Sequence, residues 1–303
     1  PRHSIKVVTA TSLFDGHDAA INIMRRILQD SGAEVVHIGH NRSANEVVDA
    51  AIEEDAQGIA VSSYQGGHLE YFKYMVDLLK EKGAPHIKIF GGGGGVIIPL
   101  EMDELHAYGV TRIYSPEDGS KIGLQGMIND MMVAMDVPCV DYEALDVENL
   151  TVANKYVTAN FISAVQEAKA NDRKMYDKII LNINKLADKK NIPVIGLTGT
   201  GGAGKSSLTD ELINRILRDL KDVNIAIISC DPSRRKTGGA LLGDRIRMNS
   251  IETGRVYMRS MATRRSQTEL PEALPDAIAV VKAAGYDMVI VETAGIGQGD
   301  SRV

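Results

Sequence analysis

Cysteine is nearly absent. The 303 residues contain two, Cys139 and Cys230, placed for neither a disulfide framework nor a zinc cluster. A reducing cytoplasm is therefore the expected compartment. No apolar run approaches the ~20 residues that a membrane helix needs. No secretory signal precedes the first strand-like run and no methionine opens the sequence, so an upstream segment is expected to be missing. Positive charge is not in excess. Up to Val137 there are 11 Lys and Arg against 19 Asp and Glu, and the remainder carries 23 against 21. Neither half is basic enough for a nucleic-acid partner. Histidine is missing altogether beyond His106, since all 7 lie between His3 and His106, so any imidazole chemistry belongs to the first half.

What is present is ordinary in bulk. Apolar residues at 44 % and charged residues at 24 % exclude a collagen-like, disordered or mucin-like chain. The length, at roughly 150 residues per domain, predicts two domains. In the first half, short apolar runs at 5–9, 34–38, 58–62, 87–90 and 110–113 read as strands. Helical patterns at 18–30, 44–55, 69–82, 100–108 and 116–135 lie between them. In the first of these, Ile21, Met24, Arg25, Ile27 and Leu28 share one stripe, apolar except for the arginine. Five βα units predict an α/β fold, a doubly wound parallel sheet of the flavodoxin type over 1–137, with ligands beyond the carboxyl ends of the strands. Residues 138–190 are polar and helix-prone and read as a helical linker. In 191–303 a buried strand at 192–197, a helix at 208–220, a strand at 224–229, a helix at 275–284 and a strand at 288–291 follow. Three strands do not close a nucleotide-binding domain, so an incomplete domain is expected.

The second half carries Gly199-Thr-Gly-Gly-Ala-Gly-Lys205-Ser206, a full GxxxxGK[ST] match between a strand and a helix. Gly201, Gly202, Ala203 and Gly204 keep bulky side chains away from a phosphate, and the helix directs its positive end at it, with Ser207 in its first turn. Lys205, the expected catalytic residue, would bridge the β- and γ-phosphates, and the Ser206 hydroxyl would bind Mg²⁺. Asp231, Asp244 and Glu292 lie at strand ends, where carboxylates suit a hard cation. Together these segments resemble the P-loop metallochaperone GTPases that assist cobalamin-dependent acyl-CoA mutases. The resemblance implies Ser206, Asp231, Asp244 and Glu292 around Mg²⁺, and GTP or GDP as nucleotide. That family's guanine-reading N-K-x-D does not occur in the sequence. The run Arg259–Arg265 reads as a solvated basic face, with phosphate or partner contact as the alternative.

In the first half, Asp15 and His17 stand two apart after the first strand. The carboxylate can hold one ring nitrogen while the other faces outward, which raises the basicity of a metal-binding imidazole. The third strand ends in Ser62-Ser63-Tyr64-Gln65-Gly66-Gly67-His68, and the fourth runs into Gly91–Gly95. Tandem glycines after neighbouring strands leave a slot for a long flat group. The pattern Asp15-x-His17-x-x-Ala20, Ser62-x-Tyr64 and Gly94-Gly95 resembles the cobalamin-binding domains of methylmalonyl-CoA mutase, glutamate mutase and methionine synthase. Ala20 replaces a glycine of that pattern and Tyr64 a leucine. The resemblance implies His17 as lower axial cobalt ligand, with Asp15, Gly16, Asp18, Ser62, Tyr64, Gly94 and Gly95 around the cofactor and Ser115-Pro116 closing the far end. His37, His40, His86 and His106 read as surface or strand-end residues.

One chain with both modules resembles an adenosylcobalamin-dependent acyl-CoA mutase carrying its own GTPase, a likeness to which Gly297–Asp300 also contributes. It implies a radical interconversion of isobutyryl-CoA and n-butyryl-CoA, a missing substrate-binding barrel beyond Val303, a homodimer, and a GTPase that gates cofactor loading. A non-catalytic cobalamin carrier with a GTPase switch is the alternative.

Overall fold

The computed structural model describes residues 1–189, 191–234, 236–263 and 270–294. Its chain forms two units, Pro1–Pro138 with Lys236–Gly243, and Cys139–Arg235 with Asp244–Val303. In the first unit, strands β1 (Lys6–Ser12), β2 (Glu34–Arg42), β3 (Gly58–Ser62), β4 (Lys88–Gly92) and β5 (Arg112–Tyr114) alternate with helices. These are α1 (Ala19–Asp30), α2 (Ala44–Glu53), α3 (His68–Glu81), α4 (Pro99–Tyr108) and α5 (Pro116–Met135). All five strands are parallel, in the order β5-β4-β3-β1-β2. The order reverses between β1 and β3, which places a ligand crevice beyond their carboxyl ends.

Local chemistry explains the elements. Ser43 and Glu46 form a capping box at α2, and Ser115 and Asp118 form another at α5, where Pro116 occupies the first helical position. On α1 the expected stripe is there. Ile21 and Leu28 are buried, and Met24 and Ile27 pack against a core of Val7, Val35, Phe90, Ile128 and Met131. Burying that stripe holds the helix more than propensity does.

The second unit contains α6 (Lys155–Asn171), α7 (Arg173–Ala187), β6 (Val194–Leu197), α8 (Lys205–Asp219) and β7 (Ile225–Asp231). It continues, after the short strand β8 (Ala240–Leu242), with β9 (Val256–Ala262), α9 (Leu274–Ala284) and β10 (Met288–Glu292). Its sheet is parallel, in the order β6-β10-β7-β9. Alternation along β7 divides two cores. Ile225 and Ile227 pack with Ile213 and Leu217 of α8, while Ala226, Ile228 and Cys230 pack with α6, α7 and α9.

The structure departs from the sequence reading in four places. The stretch read as a linker is α-helical only in α6 and α7, and these are not a connector: Phe161, Val165, Ile179 and Ile183 lie in the core of the second unit. The strand before the phosphate loop is not buried throughout, for Val194 is 42 % exposed. A fourth strand, β9, occupies the stretch read as a basic face. Arg259 is buried there and donates from Nη2 to Ser163 Oγ at 2.8 Å, while Arg264 and Arg265 lie outside the described residues, as does 297–300. Finally, β8 pairs in parallel with β2, making the first unit's sheet six-stranded.

Candidate functional sites

Beyond β1 the chain turns at Ser12–Asp15, closed by a hydrogen bond from Asp15 N–H to Ser12 O at 3.1 Å. Asp15 is fully buried. Its Oδ1 accepts from the backbone N–H of His17 at 2.9 Å and from His17 Nδ1 at 2.7 Å, and its Oδ2 accepts from Tyr64 N–H at 2.5 Å. Burial by itself would push this carboxyl up, yet the hydrogen bonds from Tyr64 and His17 outweigh it and hold the group below its ordinary value. A fixed carboxylate on Nδ1 leaves Nε2 as the lone-pair nitrogen, and the His17 side chain is 67 % exposed. This is the arrangement expected from the Asp15-x-His17 spacing, and its donor chemistry fits a bond to a cobalt ion.

The other first-half residues fall around the same strand ends. Ser62 shares a hydrogen bond with Thr11 at 3.2 Å, and Ser12 donates to Ser63 at 2.9 Å, tying the ends of β1 and β3 together. The Tyr64 ring is tilted against His17 with centroids 5.8 Å apart. Gly16 and Asp18 are exposed beside it, and Asp18 makes no side-chain cap to α1. Within the glycine run the roles are unequal. A Cβ at Gly93 would overlap the Ser63 carbonyl oxygen, and one at Gly94 would come within 3.1 Å of the Tyr64 ring. Gly95 has open space, so the close backbone approach that needs a glycine falls at Gly93, a member of the Gly91–Gly95 run that was not among the expected cofactor residues. Ser115 and Pro116 start α5, and the Ser115 side chain is occupied by its capping bond from Asp118 N–H at 3.1 Å.

One histidine stands differently from expectation. His37 is not a surface residue. It is buried on β2, with Nδ1 hydrogen-bonded to the Thr9 hydroxyl at 2.9 Å. His68, the first residue of α3, pairs through Nε2 with Glu101 at 2.9 Å, and the same carboxylate oxygen accepts from Ile98 N–H at 3.0 Å, anchoring the loop after the glycines.

In the second unit, Gly201, Gly202, Ala203 and Gly204 form an exposed turn into α8. Gly202 and Gly204 have φ of 79° and 82°, a conformation that side chains resist. Lys205 donates to the carbonyls of Gly199 and Thr200, both at 3.2 Å, so its ammonium lies at the loop mouth. Ser206 is buried and donates to Glu292 Oε1 at 2.5 Å. Thr209, one turn further, donates to Glu292 Oε2 at 3.4 Å and was not anticipated. Ser207 is exposed. Ser229, near the end of β7, donates to Asp244 at 2.5 Å, and Asp231 closes the same strand.

Burial is the largest influence on Glu292 and pushes its carboxyl up. The Ser206 and Thr209 hydroxyls and the Lys205 cation oppose this, while the charge of Asp244 adds to it. A buried carboxylate in the field of a second one suits a cation. Among the described residues no three His, Cys, Asp or Glu side chains form a metal cage on their own. That fits Mg²⁺, which takes one or two protein oxygens and completes its shell with water and phosphate.

Comparison with known proteins agrees with this division. Residues 5–116 match the B12 binding domain, and residues 158–303 match the methylmalonyl-CoA mutase-associated GTPase MeaB. The whole chain is 60 % identical to a fused isobutyryl-CoA mutase from Geobacillus kaustophilus and 57 % identical to one from Cupriavidus metallidurans. It spans 28 % and 27 % of those proteins. A putative GTPase of Pyrococcus horikoshii is 42 % identical over 44 % of this chain and 46 % of its own.

Proposed function

From a chain that carries a B12-binding domain followed by a MeaB-type GTPase domain, and that parallels fused isobutyryl-CoA mutases along its whole length, we propose that it holds the cofactor and the nucleotide of an adenosylcobalamin-dependent acyl-CoA mutase. The mutase would interconvert isobutyryl-CoA and n-butyryl-CoA, with the acyl-CoA bound by a part of the protein outside this chain. The observation that carries the reading is the Asp15–His17 pair, a buried carboxylate fixing an exposed imidazole. When bound, the cofactor supplies radical chemistry from its cobalt–carbon bond.

The residues of this chain then have distinct tasks. His17 would offer Nε2 to cobalt. Asp15 keeps the Nδ1 proton and so sets the tautomer and the ring's orientation. Tyr64 borders the imidazole, Gly93 lets the Ser63 carbonyl approach closely, and Gly95, beside open space, leaves room for a flat group. In the second unit the Gly201–Gly204 turn would cradle phosphate, Lys205 would neutralise its charge, and Ser206 with Glu292, Asp244 and Asp231 would hold Mg²⁺ directly or through water. GTP hydrolysis there gates cofactor loading. Two free cysteines and no described helix long and apolar enough to cross a membrane accord with a cytoplasmic enzyme.

Paramagnetic resonance of bound cob(II)alamin, with protein carrying ¹⁵N-histidine, tests the central residue. The hyperfine pattern should change with the label, and in His17→Ala it should no longer respond to the label. Asp15→Asn should keep the pattern and weaken affinity about 10–100-fold. A pattern indifferent to the label would assign the axial nitrogen to the cofactor's own base and overturn the reading.

A further inference from the structure

Phe14 is an aromatic side chain held in solvent by a backbone that its own chemistry disfavours. It is the third residue of the Ser12–Asp15 turn and has φ of 64°, while Leu13 before it has no positive φ. That combination belongs to type II turns, in which the third position takes glycine or asparagine. A bulky residue there is an outlier. The other non-glycine residues with positive φ among the described residues, Asn41 at 56° and Asp55 at 49°, are of types that tolerate the left-handed region; phenylalanine is not.

The surrounding structure imposes this conformation from two sides. The register between β1 and β2 slips twice, at Thr9/Ala10 and Ala10/Ser12, and Gly39 and Asn41 of β2 are both left-handed there. The irregular strand end aims Asn41 Oδ1 at the turn, where it accepts from Phe14 N–H at 2.8 Å. Bulges commonly re-aim a side chain beside a functional site. On the other side, Asp15 is clamped by Tyr64 and His17. Between these clamps the ring of Phe14 is 81 % exposed. Strain that persists and a large apolar ring left in water are both unfavourable in the isolated unit, and such outliers concentrate at ligand clamps.

We propose that Phe14 is a cofactor-contacting residue, a preset aromatic platform on which the corrin ring packs as His17 takes the cobalt. The inference rests on the cobalamin reading of His17 and deepens it. The occupant is the corrin rather than another protein segment, because the turn that presents Phe14 ends on the carboxylate that orients the axial imidazole. Any flat group coordinated at His17 Nε2 arrives three residues from the ring. The methyl-bearing macrocycle would remove part of the ring from water and add affinity without altering the fold.

Spectral titration of the intact protein with hydroxocobalamin, alongside thermal unfolding without ligand, tests this. In Phe14→Asn and Phe14→Gly, which suit the left-handed backbone, affinity should fall about tenfold or more while the unliganded midpoint stays level or rises by about 1–3 °C. Phe14→Tyr should bind within about threefold of the parent, since it retains the aromatic face. Parent-like affinity in both the Asn and Gly variants would overturn the proposal while leaving the His17 reading intact. A parent protein that binds no cobalamin would overturn both.

Discussion

His37 shows what one buried side chain contributes. Burial is the first cause that lowers its pKa, to about 4. The cationic charges of Arg25 and Arg42 add to the fall, while the carboxylate of Asp18 and the Thr9 backbone oppose it. The imidazole is therefore neutral in the fold. An unfolded chain protonates it near its ordinary value of about 6.5. Between these two values the unfolded state holds the extra proton, so stability falls as pH drops from about 6.5 to 4 and is complete above that window. The loss amounts to something on the order of 2 kcal/mol. Urea unfolding at pH 7 and pH 4.5 should show it in the parent, and His37→Gln should lose most of the difference. An equal drop in the variant would place the acid sensitivity elsewhere. In the sequence His37 looked like one of several peripheral histidines, because a polar residue in a β run reads as a strand end. What buries it is the parallel pairing with β1, where Thr9 supplies its partner, and that tertiary fact leaves no local trace. Asp15 and His17 were legible for the opposite reason: a two-residue spacing in one turn fixes their geometry locally.

At the scale of elements, the strands and helices of the first unit were readable because periodicity and caps agree. Two strands of the later sequence were not. β9 contains Arg259, whose charge suggests an exposed face, yet Tyr257, Met258 and Met261 around it are buried, and the guanidinium finds Ser163 and Gln166 of α6. β8 has three residues, too few for a pattern, and its partner β2 lies some two hundred positions earlier. The pairing depends on Gly239. A Cβ there would overlap the carbonyl oxygen of Gln29 at the end of α1, and Ala240 N–H donates to Ala33 O at 3.1 Å just beside it. Gly239→Ala should therefore expel β8 from the sheet, since both obstacles are backbone and cannot yield. Deuterium exchange should show lost protection at Leu241 and Leu242, with β1 and β3 unchanged. Retained protection at both residues would mean that the edge pairing tolerates a displaced backbone.

For the molecule as a whole, the two units have separate cores, each with its own sheet and helices, and the two candidate sites are built entirely within them. Changes without shared partners add independently. Lys205→Ala tests that independence. It deletes the ammonium that now donates to Gly199 and Thr200, and with it the main counter-charge to a γ-phosphate, but touches no core residue. GTP hydrolysis should fall by at least about a thousandfold, given the electrostatic character of phosphoryl transfer. Nucleotide affinity should fall less, because the backbone cradle at Gly201–Gly204 and the start of α8 remains. The equilibrium affinity for cobalamin, measured without nucleotide, should match the parent within about twofold. The rate of cofactor loading with GTP present should then lose its nucleotide dependence, since a gate driven by hydrolysis stops when hydrolysis does. Equal loss of hydrolysis and cobalamin affinity would show that the sites are not separable. Intact, GTP-responsive loading in a hydrolysis-dead variant would mean that nucleotide binding alone is the signal.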